Sequence, residues 1–138
     1  MRNANLYALF LERFPSDPNA LFLDTGHARQ LRYSDVPEQT GRLLSLLQGL
    51  GVRKGDRVMV QVDKSIESVL LYLACLRAGA IYIPLNTAYT PAEVAYFLQD
   101  ATPRLFVCAP KSLSAMATVA RESGVPELFT LDAAGQGS

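Results

Sequence analysis

The sequence predicts an α/β fold in which helices cover both faces of a mostly parallel sheet. Between residues 35 and 131, short apolar runs alternate with amphipathic segments, so that strand and helix follow each other repeatedly. The short runs are apolar at successive positions, which is typical of parallel strands that are buried on both faces. An apolar content of 49% with 19% charged residues is that of a globular domain with a core.

Residues 1–34 precede this alternation and predict a helix followed by a hairpin. Leu6–Phe14 places apolar residues at helical spacing, and prolines follow it. Two short strands, Ala20–Asp24 and Gln30–Tyr33, are joined by a turn in which we expect His27 to be exposed.

The alternating unit itself spans residues 35–131, and residues 132–138 form a small, polar tail that we expect to be flexible. Helices are predicted after Ser34 as capping residue, from Ser65, from Thr90 and over residues 112–123. Strands are predicted over residues 57–62, 80–83, 105–108 and 127–131.

Several side chains have a predicted environment. Gly79 supplies the left-handed stop of its helix, while Cys75 lies off the apolar stripe of the same helix, which predicts partial exposure. In the last helix we expect an inward stripe: Leu113, Met116, Ala117 and Ala120.

Composition argues against several classes of partner. Lys plus Arg and Asp plus Glu both number 13, so the net charge is zero and gives no attraction to nucleic acid or to an anionic membrane. The apolar runs are too short to span a bilayer, and the amino terminus lacks the apolar core of a signal peptide. Together with Cys75 and Cys108, which we interpret as reduced core residues, this predicts a cytoplasmic protein.

Motifs for catalysis are missing from the sequence. A single histidine and the absence of Cys-x-x-Cys leave little basis for a catalytic relay or a metal centre. Gly51–Gly55 has the composition of a phosphate loop, but it precedes a strand instead of opening a helix. We therefore predict no catalytic, cofactor-binding or metal-binding residue in this chain.

Two residues near strand ends are candidates for lying close to a substrate, because ligand crevices form at the carboxyl ends of parallel strands. Asn86 follows such an end, although an Asx turn explains it equally well. Tyr82 lies in the strand itself, where packing in the core is the favoured role. Arg53, Lys54 and Arg57 are interpreted as a solvated basic turn.

Three segments, in order, resemble the amino-terminal part of the superfamily of acyl-CoA synthetases, luciferases and nonribosomal-peptide adenylation domains. They are Leu31–Val36, Gly55–Val58 and Leu76–Asn86. The last of these resembles the family's Leu-Lys-Ala-Gly-x-Ala-Tyr-Val-Pro-Leu-Asp/Asn motif, with Arg77 in place of the usual lysine and Ile81 placed before Tyr82. Within the superfamily, the opening Asn3–Leu6 and the run Pro84–Thr90 are most similar to malonyl-CoA synthetases.

This resemblance implies a function for a longer parent protein. Such enzymes use ATP, Mg²⁺ and CoA to convert a carboxylate, here malonate or a related short dicarboxylate, into an acyl-adenylate and then a thioester. The family's phosphate loop, metal ligand and catalytic lysine lie after the motifs found here. Residues 1–138 are therefore expected to be one amino-terminal subdomain of an AMP-binding domain, inactive alone and without a bound cofactor, whose partner is the remainder of the synthetase chain.

A different class of function stays open at this point, namely a stand-alone α/β domain that binds a ligand or partner without catalysis. Separation from a larger body would also expose apolar surface, which predicts self-association.

Overall fold

The chain forms one antiparallel hairpin and one four-stranded parallel sheet in a computed structural model, which describes residues 5–26 and 29–138. The helices are α1 (Leu6–Leu11), α2 (Val36–Gly49), α3 (Ile66–Ala78), α4 (Pro91–Ala101) and α5 (Leu113–Glu122). The strands are β1 (Leu21–Asp24), β2 (Gln30–Arg32), β3 (Arg57–Gln61), β4 (Ile81–Pro84), β5 (Leu105–Cys108) and β6 (Glu127–Thr130). The predicted α/β class is confirmed, whereas the expected exposure of His27 lies outside the described residues.

The parallel sheet has the strand order β4-β3-β5-β6. In its register Val58 lies opposite both Tyr82 and Leu105, and Leu105 lies opposite Glu127. The chain therefore builds β3 and β4 side by side, crosses back over β3 to form β5, and then adds β6 outside β5. This order makes β3 a central strand and β4 and β6 the edges.

Helices cover both faces of this sheet, as the sequence predicts. Side chains alternate along a strand, so Val58 and Val60 face α2 and α3, while Met59 faces α4 and α5. Leu47 and Ala74 complete the core on the first face. None of the helices in the described part of the chain has the length and apolar character required to cross a membrane.

Helix α3 is buried on two sides, which overturns the expected exposure of Cys75. One side packs on the sheet through Ala74 and Cys75, and the other packs through Leu70 and Leu73 against α1, the hairpin and α2. A helix between two layers has no single apolar stripe, so Cys75 is fully buried. Burial raises the pKa of its thiol to about 12.

The predicted helix boundaries agree with the structure where side chains bond to nearby amides. Ser65 Oγ accepts a hydrogen bond from Ser68 N at 3.0 Å, and Glu93 Oε2 accepts one from Thr90 N at 2.8 Å. The prediction of Ser34 as a cap is wrong. A short 3₁₀ turn precedes α2, and the Asp35 side chain accepts the bond from Arg32 N instead, at 2.9 Å.

The inward stripe predicted for α5 is confirmed only in part. Met116 and Ala120 are buried, but Leu113 and Ala117 are exposed. The sheet contacts one row of side chains at i, i+4 spacing, and Leu113 and Ala117 belong to the neighbouring row, rotated by about 60° around the helix.

Two arginines hold helix ends to the sheet. Arg57 donates to Ala101 O at 2.8 Å and to Thr102 O at 3.0 Å, and Arg104 donates twice to Leu50 O, at 3.1 and 3.0 Å. These carbonyls end α4 and α2, where intrahelical donors are lacking. The interpretation of Arg57 as part of a solvated turn is therefore wrong, because its guanidinium is hydrogen-bonded to the end of α4.

The residues after β6 fold back on that strand. Leu131 forms an isolated antiparallel bridge with Gly137, and Ser138 Oγ accepts a hydrogen bond from Thr130 N at 2.9 Å. Residues 132–138 thus make a turn along the outer edge of the sheet, while their flexibility stays a prediction.

The left-handed stop at Gly79 gives a direct test of the fold. Its φ is 69°, and an added Cβ would lie 3.1 Å from Lys54 Cγ. We expect Gly79→Ala to lower the free energy of unfolding by about 1 kcal/mol or more, because alanine is strained at this φ. Urea denaturation measures the change.

Gly49→Ala is the matched control for this prediction. An added Cβ there has nothing within 4 Å, and Gly49 is the last residue of α2 and has no positive φ. We expect it to raise stability by about 0.5–1 kcal/mol. Equal destabilisation by both substitutions would contradict the assigned backbone conformations.

Candidate functional site

The carboxyl ends of the parallel strands meet at one edge of the sheet, where the sequence predicts a ligand crevice. The structure brings Asp63 and Lys111 together there, with Lys111 Nζ 3.5 Å from Asp63 Oδ2. With Ala109 and Asp132 they line a shallow cavity of 240 Å³. The Asp132 Oδ1 atom already accepts hydrogen bonds from two amides of its own turn. This edge is therefore polar, but its charged groups largely satisfy one another.

A buried glutamine at the end of β3 organises the neighbouring loop. Gln61 Nε2 donates to Asn86 O at 2.9 Å and to Tyr89 O at 3.1 Å. Its side chain is buried, so these bonds hold the loop between β4 and α4 against the central strand. Gln61 is not among the residues predicted from the sequence. The available indication was a polar residue that ends an otherwise apolar strand.

The predicted candidate Asn86 lies in this loop and is exposed. Its Oδ1 accepts a hydrogen bond from Ala88 N at 2.9 Å, which is the geometry of an Asx turn. The Asx turn, which is the alternative role of Asn86 in the sequence analysis, is therefore present. Proximity of Asn86 to a substrate stays a prediction.

The second candidate, Tyr82, packs on the side of the sheet covered by α3. Its ring meets that of Tyr72 edge to face, with centroids 5.3 Å apart, and it joins the core cluster around Cys75. Burial, and secondly the Cys75 thiol, raise the pKa of Tyr82 to about 12. Its hydroxyl has no hydrogen-bond partner among the described residues. Its proximity to a substrate also stays a prediction.

The segment with the composition of a phosphate loop does not present its amides to a ligand. Val52 N donates to Leu47 O, Gly55 N donates to Gly79 O at 2.9 Å, and Arg53 N donates to Asp56 Oδ2 at 2.8 Å. The first bond closes the end of α2, the second joins the loop to the end of α3, and the third forms the turn before β3. Amides used in this way cannot converge on an anion.

Comparison with known proteins decides the family. The sequence profile described as "AMP-binding enzyme" matches residues 10–135 of the 138. The chain belongs to the AMP-binding enzyme family. Its sheet and flanking helices match the amino-terminal part of the adenylate-forming acyl-CoA synthetase fold.

Individual members of the AMP-binding enzyme family are similar over most of the chain. The 3-hydroxybenzoate–CoA/4-hydroxybenzoate–CoA ligase of Thauera aromatica is 36% identical over 98 residues, which are 71% of this chain and 19% of that protein. Tyrocidine synthase 3 of Brevibacillus parabrevis is 33% identical over 114 residues, which are 83% of this chain and 2% of that protein.

Among solved structures, ATP-bound MatB from Rhodopseudomonas palustris superimposes with a TM-score of 0.91 at 40% identity. The match covers 99% of this chain and 27% of the MatB chain. The chain thus spans about a quarter of the length of MatB, and a smaller share of the length of the Thauera ligase and of tyrocidine synthase 3.

Removing the buried amide of Gln61 tests its role in the loop. We expect Gln61→Leu to lower the free energy of unfolding by about 1–3 kcal/mol, because the carbonyls of Asn86 and Tyr89 lose their donor. Gln99→Leu makes the same change at an exposed position of α4 and should stay within about 0.5 kcal/mol of the wild type. Urea denaturation of both variants makes the comparison, and equal effects would refute the role given to Gln61.

The buried thiols predict how stability depends on pH. In the unfolded chain a cysteine ionises near its ordinary pKa of 9.0, whereas burial raises the pKa of Cys75 to about 12 and of Cys108 to about 11. The folded state then holds the protons more tightly, so this stability is complete below pH 9 and is lost as the pH rises further.

Urea denaturation between about pH 8 and about pH 10.5 measures this fall in stability. The double variant Cys75→Ala and Cys108→Ala should show a shallower fall, whatever its stability at the lower pH. Identical slopes in variant and wild type would contradict the assignment to the thiols.

Proposed function

We propose that this chain is the amino-terminal segment of an acyl-CoA synthetase that joins a short carboxylate, malonate or a related dicarboxylate, to CoA. The observation that carries the proposal is the match to MatB, a malonyl-CoA synthetase, at 40% identity over 99% of the chain. The similarity of Pro84–Thr90 to malonyl-CoA synthetases supports the same substrate class.

The parent enzyme would use ATP, Mg²⁺ and CoA. The carboxylate attacks the α-phosphate of ATP to give an acyl-adenylate and pyrophosphate, and the CoA thiol then displaces AMP. Such phosphoryl chemistry requires amides, cations and a metal ion placed around the phosphates. The amides of Gly51–Gly55 are used within the fold, so this segment does not supply that cradle. We therefore propose that the isolated chain binds no cofactor and is inactive.

The segment's own contribution to the parent would be architectural. It builds four strands of a sheet, and Gln61 fixes the loop that carries Asn86 at the carboxyl edge. Asn86 and Tyr82 are the two described residues that we propose to lie near the substrate. The two free cysteines are buried and fit the reducing cytoplasm as the site of action.

A chimeric enzyme tests this proposal. In it, residues 1–138 replace the matching segment of Rhodopseudomonas palustris MatB. We expect the chimera to form malonyl-CoA from malonate, ATP and CoA at a rate within about tenfold of MatB, since no group of the phosphate cradle is exchanged. Chromatography of the thioester product measures the rate.

The isolated chain serves as the control and should show no ATP–pyrophosphate exchange. Exchange by the isolated chain would refute its inactivity. A folded chimera without activity would refute the proposed function and favour a non-catalytic α/β domain.

A further inference from the structure

One face of the parallel sheet is incompletely covered beside its edge strand. Helix α2 lies over β5, and a groove of 240 Å³ opens between α2, β6 and the residues after β6. We call it the α2 groove; Leu43, Leu46 and Leu50 line one side, and Phe129 and Leu131 line the floor. Its walls are almost entirely apolar.

The side chains of the groove remain in contact with solvent. Leu46 is 48% exposed at its rim, and Phe129 and Leu131 are only half-buried. On the same face of the sheet, by contrast, Val58 and Val60 are fully covered by helices. Parallel sheets have both faces covered, so the region over β6 lacks a layer that the centre of the sheet possesses.

One charged side chain lines the groove and is already paired within the chain. Glu67, in the first turn of α3, pairs through Oε1 with Arg29. Its Oε2 is buried and has no hydrogen-bond partner in the part of the chain that the structure describes. Because this oxygen is closed off from solvent by the chain itself, a group that enters the groove does not reach it, and the groove offers an occupant mainly apolar surface.

We propose that the α2 groove is the surface on which the remainder of the synthetase chain packs, through an apolar helix or strand. This inference rests on the proposed function. It is supported by the MatB comparison, because the same elements with a TM-score of 0.91 make up only 27% of that chain. Most of the MatB chain is thus available to cover surface that is open here.

A second copy of this chain fits the groove less well. In a two-fold symmetric dimer the same patch meets itself, so two concave grooves would face each other and neither would fill the other. The self-association expected from the sequence is therefore an alternative outcome of the test.

Thiol labelling distinguishes these occupants. Leu46→Cys places a thiol at the rim of the groove, and Leu113→Cys is the matched control, because Leu113 is 42% exposed on α5, on the opposite side of the sheet. The native Cys75 and Cys108 are fully buried with raised pKa values, so a maleimide at neutral pH reports the introduced thiol. Mass spectrometry of peptides locates the label in both the isolated chain and the MatB chimera.

We expect both variants to be labelled at similar rates in the isolated chain. In the folded chimera, labelling at position 46 should be slowed by about tenfold or more, while labelling at position 113 should change by less than about threefold. Equal labelling at position 46 in both proteins would overturn the proposal. Protection of position 46 in the isolated chain would also overturn it. Light scattering would then identify the cause: a monomer would mean that the chain's own fold covers the thiol, and a dimer would mean that a second copy does.

The two proposals fail in different ways. A chimera that makes malonyl-CoA but is labelled freely at position 46 refutes the docking surface alone. A chimera that is protected at position 46 but inactive refutes the proposed function alone. A chimera that does not fold counts against the docking surface, because the α2 groove is proposed to fit the remainder of MatB.

Discussion

The architecture depends on a central strand that has neither a free edge nor a free face. Strand β3 is hydrogen-bonded to β4 on one side and β5 on the other, and Val58 and Met59 are fully buried on opposite faces. Because both faces must be removed from water, α2 and α3 are required on one side and α4 and α5 on the other. The crossover from β4 to β5 over β3 follows from the same requirement.

Polar side chains then connect these layers at their ends. Arg57 and Arg104 donate to carbonyls at the ends of α4 and α2. Arg77 donates to Thr40 Oγ1 at 2.8 Å, and its guanidinium lies 4.9 Å from the centre of the Tyr7 ring. The helix-end carbonyls lack an intrahelical donor and gain one in this way, while Thr40 Oγ1, which also donates to Val36 O, connects α2 to α3. The same principle operates at the site, where the central strand ends in a buried amide that holds the loop of Asn86.

The segment combines a completed core with an incomplete periphery. Its β3 and β5 strands are covered on both faces, whereas the α2 groove beside β6 is open and apolar. At the carboxyl edge the loops are likewise formed, and Lys111 is paired there with Asp63. Membership of the AMP-binding enzyme family relates these two features, because relatives in that family extend well beyond the segment matched here.

Local features were determined by the sequence alone: the stop at Gly79, the caps at Ser65 and Thr90, and the bounds of β5. Each depends on residues within about four positions of one another, so short-range rules suffice. The tertiary structure alone decided the strand order, the burial of Cys75 and the partners of Arg57 and Gln61. Those partners lie 25 to 45 residues away in the chain. Contacts at such separations depend on how whole layers pack, which no local pattern encodes.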